Sequence, residues 1–228
     1  MPRTILSVND VAACLHVSAR EVIRMAEQKI LPAEKVRGQW QFRAGDVWNW
    51  IEQNMETLPE RRRKDRHPVA PATRLLAPIL RDSAIAVDLL AKTRTSVLRE
   101  LSRLAEEADS SIDSAALCQS LQEREAQSST ALQDGVAIPH PNRPLYLEAP
   151  VIAAARTAQP IVFGQRDGGL TDLFFLVCCP SQTDHLLFLG RLCRLLIDRT
   201  LQEKLRAAET AAEFSRALTA AENALCRD

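Results

Sequence analysis

A polar, proline-containing stretch in the first third of the chain limits the possible fold more than any other feature. Residues 54–73 read NMETLPERRRKDRHPVAPAT, a run of charges and prolines with almost no hydrophobic periodicity. This composition is typical of a linker. The chain has 228 residues, which exceeds the usual size of one domain, roughly 100–150 residues. We therefore predict two unequal domains, at 1–54 and 74–228, joined by a linker at 55–73.

Composition narrows the class of protein. Hydrophobic residues make up 46% of the chain and charged residues 25%, which is ordinary for a globular protein. No apolar run approaches the ~18 residues that a membrane-spanning helix needs, and no apolar segment follows Met1. We therefore expect a cytoplasmic protein that makes no contact with a membrane.

The six cysteines predict neither a disulfide scaffold nor a zinc site, because no two of them have CxxC spacing. Cys178 and Cys179 are adjacent in the apolar run LFFLVCC, so we expect one to face inward and the other outward on a strand, and we favour their interpretation as buried small hydrophobic residues. The chain also has no phosphate-binding loop of the GxxxxGK[ST] type. We expect no metal and no cofactor.

The first domain begins with two short helical patterns joined by a tight turn. Ser7 precedes an apolar pattern that ends near His16, and Ser18, with Glu21 three residues on, forms a capping box for a second helix. An extended pair around Gly38 and a third helix follow. This order predicts a helix-turn-helix.

Residues 4–53 resemble the excisionase/MerR-like winged helix-turn-helix domains, with the leucine-proline turn, the Gly38 hairpin and the segment QWQFR in the same order. The resemblance implies that the second helix enters the major groove of DNA and that the hairpin forms a wing. Arginine can contact guanine edges, and Lys and Arg neutralise phosphates. The residues thereby assigned to DNA contact are Ser18, Arg20, Arg24, Lys35, Arg37 and Arg43.

Other residues of this region favour structure over recognition. Glu21 and Glu27 dilute the positive potential of the second helix, so DNA contact that needs a dimer, or protein contact in its place, stays an alternative. We predict that the aromatic side chains form core rather than a base-stacking platform; these are Trp40, Phe42, Trp48 and Trp50.

Beyond the linker, short apolar runs alternate with amphipathic helical patterns. Strands are expected in SAIAVDLL, GVAIP, PVIAAAR, PIVF and LFFLVCC. Helices are expected in KTRTSVLRELSRLAEEA, SIDSAALCQSLQERE, TDHLLFLGRLCRLLID, RTLQEKLRAA and TAAEFSRALTAAENAL. The alternation predicts the α/β class, with a mixed sheet flanked by helices.

His140 follows one of the predicted strands, in TALQDGVAIPHP. Gly135 permits an unusual turn, Val136 to Ile138 form the strand, and Pro139 ends its hydrogen bonding. We therefore expect a rigidly held, exposed histidine at a strand edge. One histidine after a strand is more often structural than catalytic, so the spacing alone leaves both roles open.

Residues 80–225 resemble the fructose/mannitol-type and nitrogen-type enzyme IIA domains of the bacterial phosphotransferase system. The resemblance is carried by REAQSSTALQDGVAIPH and by LTDLFFLVCCPSQTDHLLFLGRLCRLLID. In that family the histidine of the IPH element accepts a phosphoryl group from the phosphocarrier HPr. Turn capping would explain the Ser-Thr pair of the motif equally well. The implied site residues are His140 as phosphoryl acceptor, Arg124 and His185 around it, and Ser129 and Thr130 in a phosphate loop.

Together the two resemblances predict a cytoplasmic regulator that couples phosphorylation of His140 to DNA binding. Its partners would be a phospho-HPr-like donor and DNA, and a homodimer stays open because half-site recognition commonly needs a two-fold assembly. The alternative is a phosphocarrier IIA component that passes its phosphoryl group to a IIB or regulatory protein, with the first domain only a protein-interaction module. The sequence leaves open whether the second domain is an active phosphotransfer component or only senses its partners.

Overall fold

The protein has two units of the α/β class, each built around its own sheet. This computed structural model describes residues 5–15, 17–47, 50, 76–165 and 168–227. The predicted linker, His16 and Trp48 lie outside the described residues. The boundaries 1–54, 55–73 and 74–228 therefore stay a prediction.

The N-terminal unit is a helix-turn-helix followed by a hairpin. Its elements are β1 (Ile5–Leu6), α1 (Val8–Leu15), α2 (Ala19–Glu27), β2 (Glu34–Val36), β3 (Gln39–Arg43) and a helix α3 described over 44–47. The antiparallel sheet has the order β1-β3-β2.

Local sequence signals set the turns of this unit. Ser18 caps α2 as predicted, because its Oγ accepts a hydrogen bond from the backbone N–H of Glu21 at 3.1 Å. The β2–β3 turn consists of Arg37 and Gly38, whose φ angles are 49° and 84°. Two successive positive φ angles are typical of a type I′ turn, which matches the twist of the flanking strands.

The C-terminal unit carries a four-stranded mixed sheet with the order β4-β6-β7-β5. β6 pairs antiparallel with β7, while β4 and β5 run parallel to their neighbours. Its elements are β4 (Ile85–Leu89), α4 (Arg94–Ala108), α5 (Ser114–Gln127), β5 (Val136–Ala137), β6 (Val151–Val162), β7 (Leu170–Cys178), α6 (Gln182–Leu196), α7 (Arg199–Ala207) and α8 (Ala211–Arg227).

Two expectations from the sequence are wrong here. PVIAAAR and PIVF form one strand, β6, because Pro160 falls at an irregularity of the β6–β7 register between Arg156 and Ile161, where a missing N–H is tolerated. The outward orientation expected for one of the two cysteines is also wrong, because Cys178 and Cys179 are 0% and 1% exposed, which confirms the favoured interpretation of both as buried small hydrophobic residues. Each belongs to the core on a different face of the sheet, and both faces are covered.

The two cores differ in extent. On one face of the sheet, α4 and α5 form a core that includes Leu101 and Leu121. On the other face the core is continuous from Leu189 of α6 to Val11 of α1, and α1 packs against α6. The N-terminal unit is therefore seated on the same face of the larger unit as α6.

Candidate functional site

A glycine turn places the segment that carries His140. Gly135 has φ +80°, and a Cβ atom there would lie 2.8 Å from Nη2 of Arg206, so the position requires glycine. Its carbonyl accepts hydrogen bonds from the backbone N–H groups of Asp172 and Leu173 at 2.9 and 3.0 Å. These bonds hold the start of β5 on the edge of β7.

The β5 pairing then continues past its two residues. β5 runs parallel to β7, and the carbonyl of Pro139 accepts from the N–H of Val177 at 3.1 Å. Pro139 has no N–H, but its carbonyl still pairs, so the backbone just before His140 is held at both ends. These hydrogen bonds support the rigid delivery of His140 that the sequence predicts.

The expected exposure of His140 is wrong. Its exposed fraction is only 4%, because the end of α5 and the start of α6 bring Arg124 and His185 over its ring. A short strand in the sequence predicts a position at a sheet edge. The sequence of the strand does not show that helices cover that edge.

The two ring nitrogens of His140 have different partners. Nδ1 lies 2.8 Å from the carbonyl oxygen of Ile138, which can only accept, so Nδ1 carries the proton. Nε2 accepts a hydrogen bond from Nε of Arg124 at 3.1 Å. The lone pair of His140 is therefore on Nε2 and faces a guanidinium group.

Arg124 comes from the last turn of α5 and is 5% exposed. Its Nη1 donates to the carbonyl of Ser128 at 2.8 Å, which fixes the guanidinium plane beside the imidazole. Burial lowers the pKa of Arg124, and the neighbouring Glu125 offsets part of this effect. A fixed guanidinium suits the oxygens of a phosphoryl group.

His185 lies in the first turn of α6, which Ser181 caps. Its ring centroid is 5.0 Å from that of His140, with the planes at 60°. Burial, assisted by the charge of Arg124, lowers the pKa of His140 to about 3. Burial, His140 and Arg124 hold the pKa of His185 well below its ordinary value. Both imidazoles are therefore neutral at neutral pH, which is the nucleophilic state.

Ser129 and Thr130 lie in the same loop, but their hydroxyls are engaged by a carboxylate. Ser129 Oγ donates to Glu125 at 2.6 Å, and Thr130 donates to it through both Oγ1 (2.7 Å) and the backbone N–H (3.0 Å). Their role as phosphate-loop residues stays a prediction.

Glu125 is a site residue that the sequence reasoning missed. It is 4% exposed and anchors the loop between α5 and β5. The carbonyl of Thr130 in turn accepts from the N–H of Ile138, two residues before His140. The available signal was a carboxylate in the quoted motif followed four and five residues later by two hydroxyls.

These residues line a partly open cavity of about 60 Å³. Residues of the N-terminal unit, α5, the loop after His140 and α6 all contribute to its wall. The lining residues are Ala44, Arg124, His140, Pro141, Asn142, Arg143, Pro144, Cys179, His185 and Leu186.

The residues predicted to contact DNA all lie on the N-terminal unit, and none of them is among the residues that line this cavity. Ser18 caps α2, while Arg20 and Arg24 are exposed on that helix. The basic residues of the hairpin, Lys35, Arg37 and Arg43, are exposed as well. The structure thus places an open basic surface on α2 and the hairpin, and its assignment to DNA contact stays a prediction.

Some of these cations already have neighbours on their own unit. Arg24 forms an ion pair with Glu21, which raises the pKa of Arg24. Arg43 pairs with Glu34 at 2.8 Å. Partners of this kind compete with phosphate for the same cations.

The described part of the chain holds no trio of His, Cys, Asp or Glu arranged to bind a metal ion. Nor does any helix in that part combine the length and apolarity that crossing a membrane requires.

Comparison with known proteins divides the chain into the same two units. The profile of the family "Phosphoenolpyruvate-dependent sugar phosphotransferase system, EIIA 2" matches residues 78–221, and that of a helix-turn-helix domain matches residues 5–55. A nitrogen regulatory protein of Bradyrhizobium diazoefficiens is 38% identical over 143 residues, covering 62% of this chain and 90% of the relative.

Solved structures agree with the fold of the larger unit. The nitrogen regulatory protein IIA-Ntr of Neisseria meningitidis is similar with a TM-score of 0.58 at 29% identity, over 62% of this chain and 97% of that one. The mannitol IIA protein of Escherichia coli is similar in fold, with a TM-score of 0.53 at 17% identity, over 61% of this chain and 98% of that one.

Proposed function

The chain belongs to the EIIA 2 family of the phosphoenolpyruvate-dependent sugar phosphotransferase system and also carries a helix-turn-helix domain, and on that basis we propose that it accepts a phosphoryl group on His140 and couples this event to DNA binding. The observation that carries the proposal is the state of the His140 ring. Its lone pair is on Nε2, and a guanidinium group faces that atom at 3.1 Å.

The transfer step needs no metal and no proton movement. Nε2 of His140 attacks the phosphorus of a phosphohistidine on a phospho-HPr-like donor, so that a P–N bond forms to His140 as the donor's P–N bond breaks. The donor imidazole leaves with the electron pair of that bond. The proton of His140 stays on Nδ1 throughout, where it is donated in a hydrogen bond to the carbonyl of Ile138.

Charge stabilisation supplies most of the catalysis in phosphoryl transfer. Arg124 is positioned to move from Nε2 to the phosphoryl oxygens, since its guanidinium already lies beside that atom. The His185 ring, whose centroid is 5.0 Å from that of His140, is within reach of the same oxygens. We assign Arg124 as the anion-binding group and His185 as a supporting one.

The output of the protein is proposed to be DNA binding. The cations that support this are Arg20 and Arg24 on α2 and the exposed basic residues of the hairpin. Phosphorylation adds up to two negative charges to a chain whose formal net charge is zero, which changes the field at any DNA-facing surface. The chain would act in the cytoplasm, where donor and DNA are both available.

Phosphoryl acceptance is tested by intact mass spectrometry after incubation with phosphoenolpyruvate, enzyme I and HPr. We expect an acid-labile gain of one phosphoryl group in the parent and in His67→Ala, and no gain in His140→Ala. A gain that survives in His140→Ala, or no gain in the parent with any donor of this class, would overturn the proposal.

Coupling is tested by measuring retention of the phosphorylated and unphosphorylated protein on promoter DNA at two salt concentrations. A regulator should show salt-sensitive retention that differs between the two forms. Retention that is absent in both forms would instead favour the alternative, a phosphocarrier whose first domain contacts proteins.

A further inference from the structure

The N-terminal unit forms part of the wall of the cavity at the His140 site. Ala44, the first residue of α3, lines the same cavity as His140 and Arg124 and is only 2% exposed. One wall of the cavity therefore comes from the helix-turn-helix unit and not from the family domain that carries the histidine.

A second contact holds this unit in place. α1 packs against α6, and the two helices share one continuous apolar core that contains Val11 and Leu189. His185 lies in the first turn of the same α6. The docked unit thus covers the helix whose beginning forms part of the site.

Docking through α1 leaves the predicted DNA-contact residues exposed. Arg20 and Arg24 of α2 are exposed, and so are Lys35 and Arg37 of the hairpin. These cationic residues are therefore not buried by the docking of the unit.

A phosphodonor needs the space that the docked unit fills. To transfer its phosphoryl group, the donor must bring a phosphohistidine in line with Nε2 of His140, with the reacting atoms about 3–3.5 Å apart. A cavity of about 60 Å³ has room for a few water molecules, but not for a histidine and the loop that carries it.

We propose that the helix-turn-helix unit and the phosphodonor protein compete for one face of the EIIA 2 domain, formed by the start of α6 and the mouth of the His140 cavity, so that the unit must leave this face before His140 is phosphorylated. This rests on the proposed phosphoryl acceptance by His140.

Phosphorylation and docking then oppose each other. Ala44 places an apolar side chain where the phosphoryl group would add about two negative charges to an enclosed space. The phosphorylated protein consequently favours the released state. Because coupling is reciprocal, whatever holds the unit docked must also disfavour phosphorylation of His140.

The test introduces a carboxylate at Ala44 on the docked face, and the same substitution at the neighbouring Gly45 is the control. Ala44→Glu places a carboxylate at a buried position, whereas Gly45→Glu places the same group one residue later, where Gly45 is exposed and a Cβ would meet nothing within 4 Å. A carboxylate near the cavity slows phosphoryl transfer by repulsion if the unit stays docked, so faster transfer indicates release.

Two readouts are measured on the full chain. The first is the rate at which diethyl pyrocarbonate modifies His140, followed by peptide mass, which requires no donor. The second is the rate of phosphoryl transfer from phospho-HPr. We expect both rates to rise at least tenfold in Ala44→Glu and to match the parent in Gly45→Glu.

Each outcome decides the proposal. Unchanged modification of His140 in Ala44→Glu, or an equal increase in Gly45→Glu, would overturn it. Faster modification of His140 in Ala44→Glu, with no phosphoryl transfer to the parent or to either variant, would support the covering of the site by the N-terminal unit. The same result would reject the proposed phosphoryl acceptance by His140. Amide exchange at β3 reports whether the unit stays folded, and if Ala44→Glu loses that protection, Ala44→Leu takes its place with the same expected increase.

Discussion

The two units of the protein place arginine in opposite surroundings. Arg24 on α2 is exposed and pairs with Glu21 in solvent, whereas Arg124 on α5 is 5% exposed and donates to the Nε2 atom of His140. The first can exchange its partner for a phosphate at little cost, because water solvates it throughout. The second is already desolvated and oriented by the fold.

The same contrast holds for the carboxylates. Glu34 of the hairpin is exposed and pairs with Arg43, whereas Glu125 and Glu222 are buried and each accept several hydrogen bonds. The unit proposed to contact DNA thus keeps these charges in solvent, whereas the unit that carries His140 encloses them. The predictions below test this difference.

The largest effect is expected where a buried carboxylate is lost. Glu222 accepts from the N–H groups of Leu76 and Ala77 and from Nη1 of Arg191, at 2.8, 3.0 and 3.1 Å. Glu222→Ala should lower the free energy of unfolding by about 3–5 kcal/mol. Glu21→Ala, which breaks the exposed pair with Arg24, should cost a small fraction of that. Urea denaturation measures both, and equal losses would refute the contrast.

The next effect concerns the buried arginine. Arg124→Lys replaces a planar guanidinium, which bonds both Nε2 of His140 and the carbonyl of Ser128, by a group that cannot keep both geometries. We expect phosphoryl transfer to slow by about 10- to 100-fold, since hydrogen bonds to charged groups are worth about 1.5–3 kcal/mol. Arg24→Lys is the matched control. Quench-flow measurements should find its transfer rate equal to that of the parent.

Burial of His140 also predicts a pH dependence of stability. Its pKa is about 3 in the folded protein, below the ordinary value of 6.5, so the unfolded chain binds a proton that the folded protein does not. Stability is therefore lost as the pH falls below 6.5. Between pH 7.5 and pH 5, His140→Gln should lose about 2 kcal/mol less stability than the parent. Urea denaturation at the two pH values measures this difference. Equal losses of stability in the parent and in His140→Gln would contradict the burial of His140.

The smallest effect belongs to the exposed surface. Arg20→Ala should weaken DNA binding only a few-fold and reduce the slope of log affinity against log salt by about one, as expected for one phosphate contact. Arg103→Ala, an equally exposed arginine on α4, is the control and should leave the slope unchanged. A salt titration by fluorescence anisotropy distinguishes them, and an equal change in both would remove α2 from the DNA-facing surface.

Features with a local cause could be read from the sequence. The Ser18 cap, the Gly38 turn and the Gly135 turn depend on residues that are adjacent in the chain, and the structure has them where they are predicted. The resemblance also selects Arg124 and His185, which lie 16 and 45 positions from His140, and the structure brings both to its ring.

Features that depend on packing between distant segments could not be read. The enclosure of His140 arises because helices cover both faces of the sheet. Glu125 resembles any helical carboxylate until the loop folds back on it. The seating of α1 on α6 depends on two apolar surfaces from opposite ends of the chain, and neither shows its partner in the sequence.

The central claim is that Nε2 of His140 accepts the phosphoryl group while Nδ1 keeps its proton. It is tested most directly by long-range proton–nitrogen NMR of histidine-labelled protein after phosphorylation, with ³¹P detection to locate the P–N bond. We expect a single phosphohistidine, His140, substituted on Nε2 and still protonated on Nδ1, where the carbonyl of Ile138 accepts its hydrogen bond. Phosphorus on Nδ1, or on another histidine of the chain, would contradict it.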